Sequence, residues 1–203
     1  MRIAIDIDGV IRDSVWKMVE LYNNYFSTNL QVDDVEFYDV EKSFPLLKEC
    51  GIDPYKFFFD DHDMDVNFES YCFDGVIPAI KKAHQRGHSI HLITYQPTLK
   101  NKISTIKWLC IMNIIYDSIT FVSKKAKNII DVDVIIDDNP SYFKEVNTNR
   151  CILINRSYNK NLQQYRLDSE YVAVKDRELK IERFDSLVDF LKTLPECETK
   201  ELF

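Results

Sequence analysis

A chain of 203 residues, 45% hydrophobic and 29% charged, can bury a sizeable core without metal or disulfide staples, and its balance is that of a soluble globular protein. A formal net charge of −7 excludes a broad surface for extended nucleic acid, which needs a basic stripe, yet admits a small anionic substrate met by local positive charge or a metal ion. Scattered cysteines (Cys50, Cys72, Cys110, Cys151, Cys197) without Cys-x-x-Cys or zinc spacing, carboxylates arriving by Asp6, and no apolar run of bilayer length lead to the expectation of a cytoplasmic protein with reduced thiols and no membrane association.

Residues 2–8 carry β-branched side chains and end in carboxylates, as suits a central strand whose C-terminal end carries chemistry. Gly9 then permits a tight turn. Val15, Met18, Val19, Tyr22 and Phe26 recur at helical spacing, predicting a helix over 14–26 with Ser14 as its N-cap. Asp13, just before it, reads as a capping residue rather than a substrate contact. Residues 27–73 are rich in Asp, Phe and Tyr, with amphipathic pieces at 44–50 and 54–59, and read as an irregular, mostly helical insertion.

Regular alternation follows. A helix is expected over 78–86, with Pro78 near its first turn and Gly87 closing it, then a strand over 88–94 and a helix over 98–110. Strands are expected at 118–122 and 132–136, the latter running into Asp137-Asp138-Asn139-Pro140. A short helix, strands at 151–155 and near 171–174, and a helix over 186–194 stopped by Pro195 complete the pattern, with a frayed acidic tail from Glu196. This rhythm predicts an α/β protein with a doubly wound parallel sheet covered on both faces. Residues 1–13 and 75–203 form its core and 14–74 a small helical cap inserted after the first strand. Right-handed crossovers place the strand C-termini on one edge, where ligands bind.

Three of those strand ends carry chemistry. Alternation puts Asp6 and Asp8 on one side of the first strand, and two carboxylates so close repel unless a cation lies between them. An all-oxygen ligand set favours Mg²⁺, and Asp137-Asp138 would complete it. Thr94 offers a hydroxyl and the following backbone N–H groups can grip phosphate oxygens, while a lysine from Ser123-Lys124-Lys125-Ala126-Lys127 would neutralise charge on a transferring group.

Asp6-x-Asp8-Gly9-Val10, a strand-ending Thr94, a lysine and Asp137-Asp138, in that order, resemble the four motifs of the haloacid dehalogenase superfamily of phosphatases, over residues 1–13 and 75–157. Within it the chain is most similar to the 5′(3′)-deoxyribonucleotidase group. The similarity rests on the insertion directly after the first motif, Ile136-Asp137-Asp138 preceded by Lys127, and Leu153-Ile154-Asn155-Arg156-Ser157-Tyr158-Asn159. The resemblance implies a Rossmann-like core in which Asp6 attacks phosphorus and becomes an aspartyl-phosphate, while Asp8 serves as acid and then base. It implies Mg²⁺ on the Asp6 carboxylate, the Asp8 backbone carbonyl and the Asp137 carboxylate, supported by Asp138. Thr94 and the amides of Gly9 and Tyr95 would hold the phosphate, and Lys127, ahead of Lys124 or Lys125, would supply the cation. Tyr95 stands where related nucleotidases often carry a small residue, which bears on substrate choice.

The expected activity is Mg²⁺-dependent hydrolysis of a small phosphate ester, a nucleoside (deoxy)monophosphate first. The alternatives are a sugar-phosphate phosphatase, a nucleic-acid end phosphatase and a non-catalytic phosphate-binding protein. Phe37 and Tyr38 are candidates to stack on a base, set against a plain packing role. His62, His84, His88 and His91 show no metal spacing, and Asp60-Asp61-His62-Asp63 reads as a solvated acidic loop. The oligomeric state is open, a homodimer included.

Overall fold

The computed structural model describes residues 1–122, 131–148, 150–162, 171–174 and 177–196. Its strands are β1 (Arg2–Ile5), β2 (Ser89–Tyr95), β3 (Ser118–Val122), β4 (Val134–Asp137), β5 (Arg150–Ile154), β6 (Tyr171–Val174) and β7 (Arg177–Phe184). They form one sheet in the order β3-β2-β1-β4-β5-β7-β6. All neighbours pair in parallel except β6, which closes one edge antiparallel to β7. The α-helices are α1 (Ser14–Phe26), α2 (Val40–Ser43), α3 (Pro45–Glu49), α4 (Pro54–Lys56), α5 (Asp63–Phe68), α6 (Val76–Gln85), α7 (Leu99–Ile111) and α8 (Leu187–Lys192). No helix among the described residues is long and apolar enough to cross a membrane.

The chain builds outward from β1 in both directions, to β2 and β3 on one side and to β4, β5 and β7 on the other. The reversal between β1 and β4 is the crevice where ligands bind in open α/β sheets. Register makes that crevice acidic. Ile5 pairs with Leu92 on one side and Ile136 on the other, and the Asp6 amide donates to the Ile136 carbonyl at 2.9 Å. Asp6 therefore leaves β1 beside Asp137 at the end of β4.

Both sheet faces are buried, so the central strands are almost wholly apolar. Ile3 and Ile5 point into a cluster completed by Ile80 of α6, Trp108 of α7 and Phe190 of α8. Ala4 points the other way, toward Ile93, Ile135, Leu153 and Phe143, the last from the 3-10 segment Pro140–Glu145. The insertion has its own apolar cluster, including Met18, Tyr22, Phe44, Leu47, Phe58 and Val66, which Tyr158 joins from beyond β5.

The structure corrects several expectations. Ser14 does not cap α1 but is its first helical residue; Asp13 caps it, as expected of Asp13, its Oδ1 accepting from the Trp16 amide at 3.0 Å. Asp63 of the acidic run is fully buried between α5 and α7, where it accepts from Ser104 Oγ at 2.7 Å, from Asn67 Nδ2 at 2.8 Å and from Asn101 Nδ2. A carboxylate with three donors tolerates burial that a solvated loop residue would not need. Strand β7, absent from the sequence reading, fills the place between β5 and β6. Its run Arg-Glu-Leu-Lys-Ile-Glu-Arg-Phe is too charged to stand out as a buried parallel strand.

Across β5 and β7 the Arg150 guanidinium grips Glu182, Nε to Oε1 at 2.8 Å and Nη2 to Oε2 at 2.6 Å. These bonds hold the Glu182 carboxyl below its ordinary value of 4.5. The pair therefore stabilises the fold above that value and ceases to do so as pH falls through the lowered one. Both side chains are over a third exposed, so the effect is small. Glu182→Gln is expected to lose about 0.5 kcal/mol in urea unfolding at neutral pH and nothing at a pH of about 3. An equal loss at both pH values would show that the ion pair is not its origin.

Candidate active site

Asp6, Asp137 and Asp138 each turn a carboxylate oxygen toward a common point, the three lying within 4.8 Å of one another, and all three residues are buried. Such a group repels itself unless a cation is shared among its oxygens. Hard oxygen donors suit Mg²⁺ or a similar divalent ion, so the residues present fit the metal that the sequence leads one to expect. The cluster is also braced from outside. Asp137 Oδ1 accepts from the Asn139 amide at 2.8 Å. Asp138 Oδ2 accepts from the Tyr158 hydroxyl at 2.5 Å, and its backbone carbonyl accepts from Asn159 Nδ2 at 2.8 Å. Burial, then the charge of Asp138, push the Tyr158 hydroxyl well above the ordinary tyrosine range, so it stays protonated and remains a donor.

The carboxylate of Asp8 lies outside this cluster, leaving its backbone carbonyl as the ligand that the resemblance assigns. Asp8 instead accepts from Arg12, Nε to Oδ1 at 2.9 Å and Nη2 to Oδ2 at 3.0 Å, and from Gln96 Nε2 at 2.8 Å. Thr94 is buried at the end of β2, with Gln96 Nε2 3.4 Å from its Oγ1. Gly9 departs from its expected role, because its amide donates to the Arg12 carbonyl at 2.9 Å rather than standing open to a phosphate. The geometry gives Gly9 a different task. With φ at +72°, it lets the chain pass so close to β4 that a Cβ there would press into Asp138 Oδ2 and sit 2.5 Å from the Tyr158 hydroxyl. Arg156 Nε fastens this turn by donating to the Gly9 carbonyl at 2.7 Å while its guanidinium lies 4.1 Å from the Phe73 ring centroid.

Above these groups opens a cavity of about 440 Å³. Asp6, Asp8, Gly9, Thr94 and Asp138 line it from the core, Phe37, Tyr38, Tyr55 and Phe59 from the insertion, and Tyr95 from β2. Tyr38 is half exposed as a residue, yet its hydroxyl end is buried beside Tyr142 and Asp138, which pushes its pKa well above the ordinary range. Its ring meets that of Tyr158 edge-on at 6.0 Å. The three candidate lysines, Lys124, Lys125 and Lys127, lie outside the described residues. Sequence reasoning missed Arg12, Gln96 and Tyr158. A basic residue four positions after Asp8 was a signal for the first, and the run 153–159 that carries the family resemblance contains the last; nothing local marked Gln96.

The family model described as 5′ nucleotidase, deoxy (pyrimidine), cytosolic type C protein matches residues 1–178. The chain belongs to this family. It is accordingly a phosphatase of haloacid dehalogenase type that acts on phosphoric monoesters of small molecules. Phosphatases of this type generally use a divalent metal, and the Asp6, Asp137 and Asp138 cluster is placed to hold one. The fold agrees. The chain is similar to a haloacid dehalogenase-like hydrolase from Bacteroides fragilis (TM-score 0.54, 12% identity, covering 93% of this chain and 98% of that one). It is similar to a hydrolase from Streptococcus pneumoniae (0.52, 12%, 94% and 96%). A haloacid dehalogenase-like family hydrolase from Xanthomonas campestris matches comparably (0.51, 13%, 95% and 93%). No curated protein matches significantly.

The close approach at Gly9 is testable against Gly51, which has a similar φ of +74° but open space around it. Gly51→Ala in this phosphatase is expected to lose about 1 kcal/mol from backbone strain alone, and Gly9→Ala at least about 3 kcal/mol once the contact with Asp138 and Tyr158 is added. Equal losses in urea unfolding would show that the approach to Asp138 costs nothing.

Proposed function

We propose that this phosphatase hydrolyses nucleoside monophosphates, deoxynucleotides included, through an aspartyl-phosphate on Asp6. The observation that carries the reading is the lining of the cavity, which combines Asp6, Asp8, Thr94 and Asp138 with the aromatic rings of Phe37, Tyr38 and Tyr95. A phosphate suits the threonine and a cation held by the carboxylates, and the flat face of a base suits the aromatic rings, which a hydroxyl-rich sugar phosphate would fill poorly.

In this reading the Asp6 carboxylate attacks phosphorus as the bond to the leaving alcohol oxygen breaks. Asp8 gives that oxygen a proton, then takes one from the water that hydrolyses the aspartyl-phosphate, so one hard displacement becomes two easier ones. Thr94 and the backbone N–H of Tyr95 hold phosphate oxygens, and Lys127 supplies positive charge as the resemblance assigns it. Asp6, Asp137, Asp138 and the carbonyl of Asp8 would hold Mg²⁺, which when bound offsets the repulsion among these groups and the charge on the phosphoryl oxygens. Residues 14–74 act as the cap that excludes water and selects the base. The name of the family makes pyrimidine deoxynucleotides the first class to try. Cys50, Cys72 and Cys110 are free thiols, which supports a reducing, cytoplasmic setting.

The test is phosphate release from nucleoside monophosphates, sugar phosphates and a 5′-phosphorylated oligonucleotide, with and without Mg²⁺. Nucleotides are expected to be turned over fastest, with activity lost on chelation, and Asp6→Asn is expected to retain less than about a thousandth of the wild-type rate. Turnover confined to sugar phosphates or to the oligonucleotide would discard the nucleotidase reading. Turnover by Asp6→Asn at the wild-type rate would discard the covalent mechanism.

A further inference from the structure

Arg12 is fully buried, and all five of its N–H groups meet acceptors. Nε and Nη2 grip the two oxygens of Asp8 at 2.9 and 3.0 Å. Nη1 reaches the Asn67 carbonyl at 2.5 Å and Thr105 Oγ1 at 3.4 Å, and Nη2 also reaches Asn67 Oδ1 at 3.0 Å. The Trp108 ring centroid lies 5.2 Å from Cζ, and that indole is itself fixed by a bond from Nε1 to the Ser70 carbonyl at 2.8 Å.

A buried ion pair is weak support for a fold, since apolar residues of similar volume often serve as well or better. What only an arginine provides is a planar fork matched to a carboxylate. Here the fork is spent on Asp8, whose third donor is Gln96. A carboxylate offers about four lone-pair sites. With two N–H bonds from Arg12 and one from Gln96, a single site remains for the proton, on a side chain that lines the cavity.

We infer that Arg12 is a positioning residue for proton transfer: with Gln96 it fixes which lone pair of Asp8 carries the proton to the leaving oxygen. Asn67 belongs to α5 and Thr105 to α7, so the Asp8 carboxylate is held in register with the insertion and the core at once. This rests on the proposed reading of Asp8 as acid and base, and adds the residue that aims it.

The experiment compares wild type with Arg12→Met on a nucleoside monophosphate and on 2,4-dinitrophenyl phosphate, each with Mg²⁺. The nucleotide's alkoxide needs a proton to leave; the dinitrophenolate does not. For Arg12→Met, kcat on the nucleotide is expected to fall about 100-fold or more with KM within about threefold of wild type. Dinitrophenolate should still be released at near wild-type rate in the first turnover. A slow steady state should follow, because water attack on the aspartyl-phosphate also needs Asp8, so the variant shows a burst of one equivalent. A first turnover slowed as much as the nucleotide reaction would make Arg12 merely structural and overturn the inference, as would an unchanged nucleotide kcat. If Arg12→Met does not fold, Arg12→Lys keeps the charge without the fork and is read the same way. Wild type inert toward both esters would sink the proposed function and the inference together, whereas an active wild type whose variants show no burst sinks the inference alone.

Discussion

Negative charge crowded onto one sheet edge is the constraint around which the rest of this molecule is arranged. Asp6, Asp137 and Asp138 gather within 4.8 Å, and Asp8 follows two residues after the first. In a desolvated crevice such charges repel far more strongly than in water. Each meets the problem differently. Asp8 is neutralised by a buried guanidinium, Asp138 takes a proton donor that cannot itself ionise near neutral pH, and Asp137 accepts a backbone N–H. What remains is charge that a divalent cation is suited to balance.

The crowding follows from topology rather than from any single residue. Because β1 and β4 are neighbours at the point where the strand order reverses, no helix crosses between their C-terminal ends, and carboxylates that follow them share open space. The pairing of Ile5 with Ile136 sets the level at which Asp6 and Asp137 meet. A slip of one residue would send one carboxylate to the wrong face of the sheet. The segment between β1 and α6 then brings Phe37, Tyr38, Tyr55 and Phe59 to the cavity that Asp6 and Asp138 also line.

Much of this was legible in the sequence because it is written in short periods. Alternation in residues 2–8 and the apolar run before Asp137 mark the two central strands, and Thr94 ends a third. These are local signals, read from neighbours along the chain. What escaped depends on partners far apart. Arg12 meets acceptors 55 and 93 residues away, and Tyr158 finds Asp138 only because β5 returns beside β4. Asp63 looked like solvated charge because its three donors come from α5 and α7 together. Strand β7 was hidden by its own charges, some of which serve pairing at the sheet surface, as Glu182 does with Arg150.

Tyr158 has a further consequence. One ring belongs to the apolar cluster of the insertion, and its hydroxyl is bonded to a carboxylate of the acidic cluster. The packing of residues 14–74 and the orientation of a carboxylate in the acidic cluster are therefore linked through this side chain. Thermodynamic reciprocity then applies: whatever free energy this packing would lend to a cation held at Asp138, the cation would return in equal measure to the packing.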